Sequence, residues 1–326
     1  MSWGWRDKLT NGVRCHAEVL EVCGQRSLRL VFESLRLTPG AHIVNDKFIL
    51  IFVKHTIPTM NKIRLILLIT FLHFTALSFA QTEGHYFTSF DSVKIYYEVR
   101  GDGYPVLLIH GFTGNGEGWK SGALYGDLLK AGYKVILIDL RGNEHSDKPH
   151  TDAAYANNAE AKDVIGLMSS LGIKQYDAVG YSRGSIILSS LFVLDAGRLH
   201  KAVMGGMGDG YTNPNWPRRI HAYQGLMGDT THHDVDEMMK WINSQPFDKV
   251  SLALQQKWQP STSPQELAKV KIPVLIVRGT EDKENGSETG LRALIPGSAL
   301  AYVPGDHGSA NRTPEFSAVV LKFLGE

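Results

Sequence analysis

The chain has 326 residues, with 34 Lys and Arg against 33 Asp and Glu, 43% hydrophobic residues, 33 Gly, 13 Pro and 2 Cys. That composition excludes a disordered chain, a collagen-like repeat and a disulfide-stapled mini-domain, and a net charge of +1 gives no reason to expect nucleic acid as a partner. At about 150 residues per domain the length suggests two domains, although a single α/β domain reaches about 250.

Residues 60–80 (MNKIRLILLITFLHFTALSFA) break the chain in two. A Met, positive charges at Lys62 and Arg64, an apolar run from Leu65 to Phe79 and the small residues Ser78 and Ala80 form the three-part pattern of a secretory signal peptide, with the cut expected before Gln81. The run falls short of the roughly 20 residues of a permanent membrane helix. An uncleaved anchor or a buried helix is the alternative. Because signal peptides begin at a start methionine, translation is expected to begin at Met60. Residues 1–59 are then a non-native upstream extension. They show Pro39-Gly40 and the apolar run Phe48–Val53, but no sustained periodicity and no motif. A small folded N-terminal domain stays open, although fewer than about 60 residues make a marginal core.

From Gln81 onward the pattern is regular. His85–Ser89 and Val93–Arg100 alternate apolar and polar residues, as half-exposed antiparallel strands do. Pro105–Ile109, Lys134–Leu140, Asp177–Val179, Lys201–Met204 and Pro273–Val277 are nearly continuous apolar runs, suited to parallel strands buried on both faces. Stretches of helical spacing lie between them, at Ala123–Lys130, Ala159–Leu171 and Ile186–Leu194. Strand–helix alternation predicts an α/β fold with a mostly parallel, doubly wound sheet flanked by helices. Residues 208–268, rich in Trp, Tyr, Met, His and Asn, interrupt that alternation with helical stretches at Arg218–Met227, Val235–Asn243 and Lys249–Lys257. They read as a small helical cap over the carboxyl edge of the sheet, where ligands bind in open α/β sheets.

Three places carry chemistry. Gly180-Tyr181-Ser182-Arg183-Gly184 lies between a strand and a helix. A serine on so tight a turn is held in a strained conformation with its hydroxyl exposed, and the flanking glycines let strand and helix approach. Ser182 is therefore the candidate nucleophile. A hydroxyl at neutral pH needs a base, and the base an orienting acid. His307, in the loop Pro304-Gly305-Asp306-His307-Gly308 after the run Ala299–Val303, is the candidate base, and Asp282 past Pro273–Val277 the candidate acid. The third place is His110-Gly111-Phe112-Thr113-Gly114. The backbone N–H groups of Phe112 and Arg183 are the candidate donors of an oxyanion hole, and His110 is expected to brace the loop.

These residues resemble the α/β-hydrolase fold family, in the branch of small carboxylesterases, cofactor-free haloperoxidase-like esterases, haloalkane dehalogenases and epoxide hydrolases. The likeness rests on His110-Gly111, on Asp139-Leu140-Arg141-Gly142 with Ser146, on the elbow at 180–184 and on the acid and histidine loops, and it runs from about His85 to Phe323. It implies ester or related acyl hydrolysis, of the carboxylesterase kind, through Ser182, His307 and Asp282; some members place the acid one strand earlier, where Asp209 stands as the rival, but Gly279-Thr280-Glu281-Asp282 has the family's spacing. It implies no metal and no organic cofactor. Dehalogenases and epoxide hydrolases carry aspartate where this chain has Ser182, which favours acyl over alkyl chemistry. Arg183 stands where many relatives have an apolar residue. It is expected to fold back onto an acidic residue of the cap, the alternative being a contact with an anionic substrate group.

Trp119, Tyr181, Trp216 and Trp241 are the candidate substrate-binding residues. Of the cap's Tyr211, Trp216, Tyr223, Met227, Met238, Trp241 and Trp258, only part is expected to face substrate. His232-His233-Asp234 with Asp236 matches no standard metal-ligand spacing and reads as a solvated helix start. The expected protein is thus an exported, secreted or periplasmic, serine hydrolase of a small acyl substrate, with no nucleic acid and no lasting membrane anchor. Acyl transfer, perhydrolysis and a non-catalytic receptor on the same fold are the alternatives. The expected mature part, 81–326, holds 24 basic and 28 acidic residues, and both cysteines, Cys15 and Cys23, lie outside it.

Overall fold

The computed structural model describes residues 13–22, 25–36, 44–52 and 84–326, and the chain divides into two units, 1–81 and 82–326. In the first unit, β1 (Val13–Val22), β2 (Gln25–Arg36) and β3 (Val44–Phe52) form an antiparallel sheet in that order. Regular structure was not expected there. The alternation that foretells it is present, with Val13, Cys15, Ala17 and Val19 interleaved with Arg14, His16 and Glu18. The expected leader at 60–80 lies outside the described residues.

The second unit has an eight-stranded sheet. Its strands are β4 (His85–Thr88), β5 (Lys94–Arg100), β6 (Pro105–Ile109), β7 (Lys134–Ile138), β8 (Tyr176–Tyr181), β9 (Leu199–Gly205), β10 (Val274–Gly279) and β11 (Ala299–Val303). The spatial order is β11-β10-β9-β8-β6-β7-β5-β4. β4 pairs with β5, and β5 with β7, antiparallel; every other pairing is parallel. The apolar runs are continuous because both faces are covered. Val106 and Leu108 enter one core cluster with helices α1 (Ala123–Lys130) and α9 (Pro314–Gly325). Leu107 and Ile109 enter the opposite one, with α2 (Ala159–Ser170) and α3 (Arg183–Leu194). Leu107, Leu108 and Ile109 have no exposed surface, and each such side chain contributes about 1.5–3 kcal/mol when buried. The center of the sheet therefore offers a rigid platform for loops at its carboxyl edge.

Between β9 and β10 the chain leaves the sheet. It forms a short turn at Asp209–Thr212, then α4 (Pro217–Leu226), α5 (Asp236–Asn243), α6 (Lys249–Lys257) and α7 (Pro264–Leu267), before α8 (Glu288–Leu294) follows β10. This helical excursion occupies the stretch, 208–268, where a cap is expected. Pro217 stands at the first position of α4, where its missing N–H costs nothing, and Ser263 and Glu266 close a reciprocal capping box on α7.

Candidate active site

Ser182 joins β8 to α3 with φ 53° and ψ −117°, a left-handed conformation that a serine holds only when its surroundings enforce it. The enforcement comes from close packing. A Cβ on Gly184 would lie 2.1 Å from the Ile109 carbonyl oxygen, and one on Gly180 would lie 2.4 Å from the Gly184 oxygen, so only glycine permits this approach of strand and helix. The Ser182 N–H donates to Gly205 O at 2.8 Å, which pins the turn to β9.

Two loops from neighboring strands meet above this serine. Thr280 N–H donates to Val303 O and Glu281 N–H to Gly305 O, which ties the loop after β10 to the loop after β11. Gly305 takes φ 108°, turning the second loop back over the sheet. His307 Nε2 then lies 3.0 Å from Ser182 Oγ, and its Nδ1 lies 3.0 Å from Asp282 Oδ2. Asp282 is buried; its Oδ1 accepts from the Glu284 N–H at 2.9 Å and its carbonyl accepts from Arg278 Nε. Burial pushes its carboxyl up, but the His307 hydrogen bond and charge, the Glu284 amide and Arg278 together outweigh that and hold it below the usual aspartate value. The rival Asp209 instead accepts from Ser287 N–H at 2.8 Å.

The loop after β6 is braced as expected. Leu140 N–H donates to His110 Nε2 at 3.0 Å, so that nitrogen is an unprotonated acceptor and Nδ1 carries the proton, 2.7 Å from Gly111 O. Burial, partly offset by the charge of Asp139, pushes His110 below the usual histidine value, which agrees with a neutral ring held for structure. Asn143 Nδ2 donates to both Phe112 O and Gly114 O, and Gln255 of α6 donates to Asn143 Oδ1. Among the described residues the Phe112 and Arg183 backbone N–H groups meet no hydrogen-bond acceptor.

A cavity of about 570 Å³ opens over Ser182. Phe112, Ser182, His307, Ile186, Met207, Met238 and the cap residues Trp216 and Trp241 line it. Tyr181 also borders it, but its hydroxyl donates to His307 O at 2.9 Å, so it positions the histidine loop. Trp119 departs from the sequence reading only in part. The turn Glu117–Ser121 packs its ring with Leu124 and Leu128, 3% exposed; it does not border the cavity over Ser182 but lines a smaller one of about 240 Å³ beside it, with His110, Gly111 and Tyr181. Of the other cap aromatics, Tyr211 is fully buried in the core, and Trp258 donates to Asp152.

Arg183 is a second correction. It does fold back onto an acid, but that acid is Glu160 of α2 and not a cap residue. Nε meets Oε1 at 3.0 Å and Nη2 meets Oε2 at 2.5 Å, while Nη2 also donates to the Gln255 carbonyl of the cap. Glu160, Asn143, Gln255 and Arg219 were not singled out from sequence. The His–Asp cluster of the cap forms separate pairs, His221–Asp234 at 2.8 Å and His233–Asp236 at 3.0 Å, with His221 stacked on His232 at 3.9 Å between ring centroids.

The sheet order, the serine elbow and the three converging loops define an α/β-hydrolase-fold enzyme. The alpha/beta hydrolase fold family matches residues 104–228, which span the loop after β6, the elbow and the start of the cap. The chain is 26% identical over 263 residues to 2-hydroxy-6-oxononadienedioate/2-hydroxy-6-oxononatrienedioate hydrolase 2 of Pseudomonas putida, covering 71% of this chain and 92% of that protein. Among solved structures it is similar to a bromoperoxidase from Bacillus anthracis, with 23% identity, a TM-score of 0.62 and coverage of 75% of this chain and 100% of the other. It is likewise similar to an esterase from Exiguobacterium antarcticum, with 21% identity, a TM-score of 0.63 and the same coverage.

Proposed function

We propose that this enzyme is a serine hydrolase that cleaves a carboxylic ester through an acyl-enzyme intermediate. The observation that carries the reading is the unbroken relay Asp282–His307–Ser182, with both links at 3.0 Å, beneath a cavity large enough for a small substrate. His307 Nε2 takes the Ser182 proton as Oγ bonds to the ester carbonyl. The oxyanion that forms lies against the Phe112 and Arg183 amides. His307 returns the proton to the leaving alkoxide, the C–O bond breaks and the alcohol departs. Water, deprotonated by the same imidazole, then attacks the acyl-serine, and Ser182 recovers its proton as the acid leaves. Asp282 keeps Nδ1 protonated and stabilizes the imidazolium at each stage.

The test is labeling of the purified protein by a fluorophosphonate, together with turnover of a p-nitrophenyl ester panel. We expect both in the parent and neither in Ser182→Ala; a parent that neither labels nor turns over ester refutes the reading. We propose also that the enzyme is exported and cut before Gln81. An N-terminal sequence from the native host that begins well upstream of Gln81 refutes that part.

A further inference from the structure

The loop that carries Asp282 is anchored at both ends and held between them by one residue. At its start the Asp282 N–H donates to Gly279 O at 3.1 Å, and the Asp282 carbonyl accepts from Arg278 Nε at 3.0 Å. At its far end Asn285 O accepts from the Gly208 N–H, Asn285 Nδ2 donates to Gly206 O, and the Ser287 N–H donates to Asp209 Oδ1, which seats 285–287 against the segment leaving β9. Asn285 and Gly286 take φ 67° and 90°, the left-handed backbone these two residue types tolerate best. Between the anchors Lys283 is exposed, and Glu284 makes two bonds. Its N–H donates to Asp282 Oδ1 at 2.9 Å, and its Oε2 accepts from Arg218 Nη2 at 2.6 Å.

Arg218 is itself held in place. It stands in the first turn of α4, two residues after Trp216, which packs against the core, and its Nη1 donates to Asp234 O at 3.3 Å. Among the described residues Arg218–Glu284 is the one hydrogen bond or ion pair between helices α4–α7 and the loop 280–287. Both residues border the cavity over Ser182. With side chains 24% and 43% exposed, the pair adds little to folding stability. What it fixes is a position, that of the Glu284 amide on the Asp282 oxygen that His307 does not use.

We propose that Arg218 and Glu284 are positioning residues: their ion pair holds the Glu284 amide on Asp282 Oδ1 and so aims Oδ2 at His307 Nδ1. The inference rests on the proposed serine-hydrolase reading. Without the pair the 283–284 segment is free to swing, the carboxylate loses an oriented donor, and the imidazole it steers loses its aim on Ser182 Oγ.

The experiment measures p-nitrophenyl ester turnover in the parent, Arg218→Gln, Glu284→Ala, the double variant and Arg218→Lys. Each of Arg218→Gln and Glu284→Ala should lower kcat by about tenfold with a smaller change in KM, as small misplacements near reacting atoms do. The double variant should lose no more than either single one, because the two residues act through one bond, and Arg218→Lys, which keeps the charge, should retain most of the parent rate. At about 1 M NaCl, where an exposed pair is screened, the parent kcat should fall toward that of the variants while theirs stays flat. Urea midpoints should hardly move. An unchanged kcat in Arg218→Gln, or losses that add in the double variant, overturn the proposal. A spectroscopic arm separates this failure from failure of the hydrolase reading. The His307 Nδ1–H resonance in proton NMR, assigned by its loss in His307→Gln, reports the bond to Asp282; it should shift in Arg218→Gln and return in Arg218→Lys. An unmoved resonance removes the positioning role whatever the protein does to esters; a resonance that shifts as expected, in a protein that neither labels with fluorophosphonate nor turns over ester, leaves the role and removes the hydrolase.

Discussion

Arg183 and Glu160 meet through two nitrogens and two oxygens in a layer where both side chains are more than nine-tenths buried. The pair links the residue after the nucleophile to helix α2, and Arg183 Nη2 reaches on to the cap at Gln255 O. Removing one partner of such a pair strands a charge in the interior, whereas replacing both can be neutral. Arg183→Met should therefore cost about 3–5 kcal/mol of unfolding free energy, and Arg183→Met with Glu160→Leu should recover most of it. Urea unfolding of the three proteins checks this, and a double variant no more stable than the single one contradicts it.

Asp282 and Asp209 separate the two candidate acids. With His307 Nδ1 on Asp282, Asp282→Asn should lower kcat by about 10⁴-fold, because an amide no longer enforces the productive tautomer. Asp209→Asn should leave kcat far closer to the parent, since that carboxylate holds the Ser287 N–H. The reverse ranking in steady-state kinetics would reassign the acid.

The same aspartate leaves a mark on acid stability. Its folded carboxyl is held below the ordinary value, so its stabilizing contribution is complete above the unfolded-state pKa and is lost as pH falls through the folded one. Stability of the parent should decline more steeply below the usual aspartate range than that of Asp282→Asn. Denaturant midpoints measured across that range give both slopes, and parallel curves would show that the carboxylate is not held down.

Asn143 holds the loop that presents the Phe112 amide, through Phe112 O at 2.8 Å and Gly114 O at 3.0 Å. Asn143→Ala should let that loop drift and lower kcat by up to about 10²-fold, as small misplacements near reacting atoms do, with a smaller change in KM. An unaltered kcat would mean that the loop is fixed by His110 alone.

Gly184 offers a purely steric test. The added methyl of Gly184→Ala meets two backbone carbonyl oxygens, Ile109 O at 2.1 Å and His110 O at 2.8 Å, neither of which yields cheaply. We expect a loss of about 1–3 kcal/mol or more in denaturant unfolding together with weakened fluorophosphonate labeling, because β6 and the elbow must separate. A variant with parent-like stability and labeling would rule out the proposed contact.

Where residues interact with their sequence neighbors, the chain was legible before its fold. Continuous apolar runs marked β6, β7 and β10 because two-sided burial removes polar alternation, and the elbow was marked by glycines whose spacing is a steric requirement. Side-chain partners brought together by folding were not legible. Nothing local distinguishes Glu160, on a helix 23 residues before Arg183, as its counterion. Trp119 was expected at the substrate cavity, yet it packs with Leu124 and Leu128 and borders only the smaller cavity beside it. Strands β1 to β3 were passed over although Val13, Cys15, Ala17 and Val19 alternate with polar residues.

The excursion between β9 and β10 begins and ends on adjacent strands, with Ala202 opposite Val274 and Gly205 opposite Val277. The sheet is thus already closed where the cap departs, and the register beneath Ser182 does not depend on what the excursion contains. A change in the length of such a segment would leave the strand pairing below it intact, and Gln255 is where the change would be felt: it is carried by the excursion but donates to Arg141 O and Asn143 Oδ1 on the loops beneath.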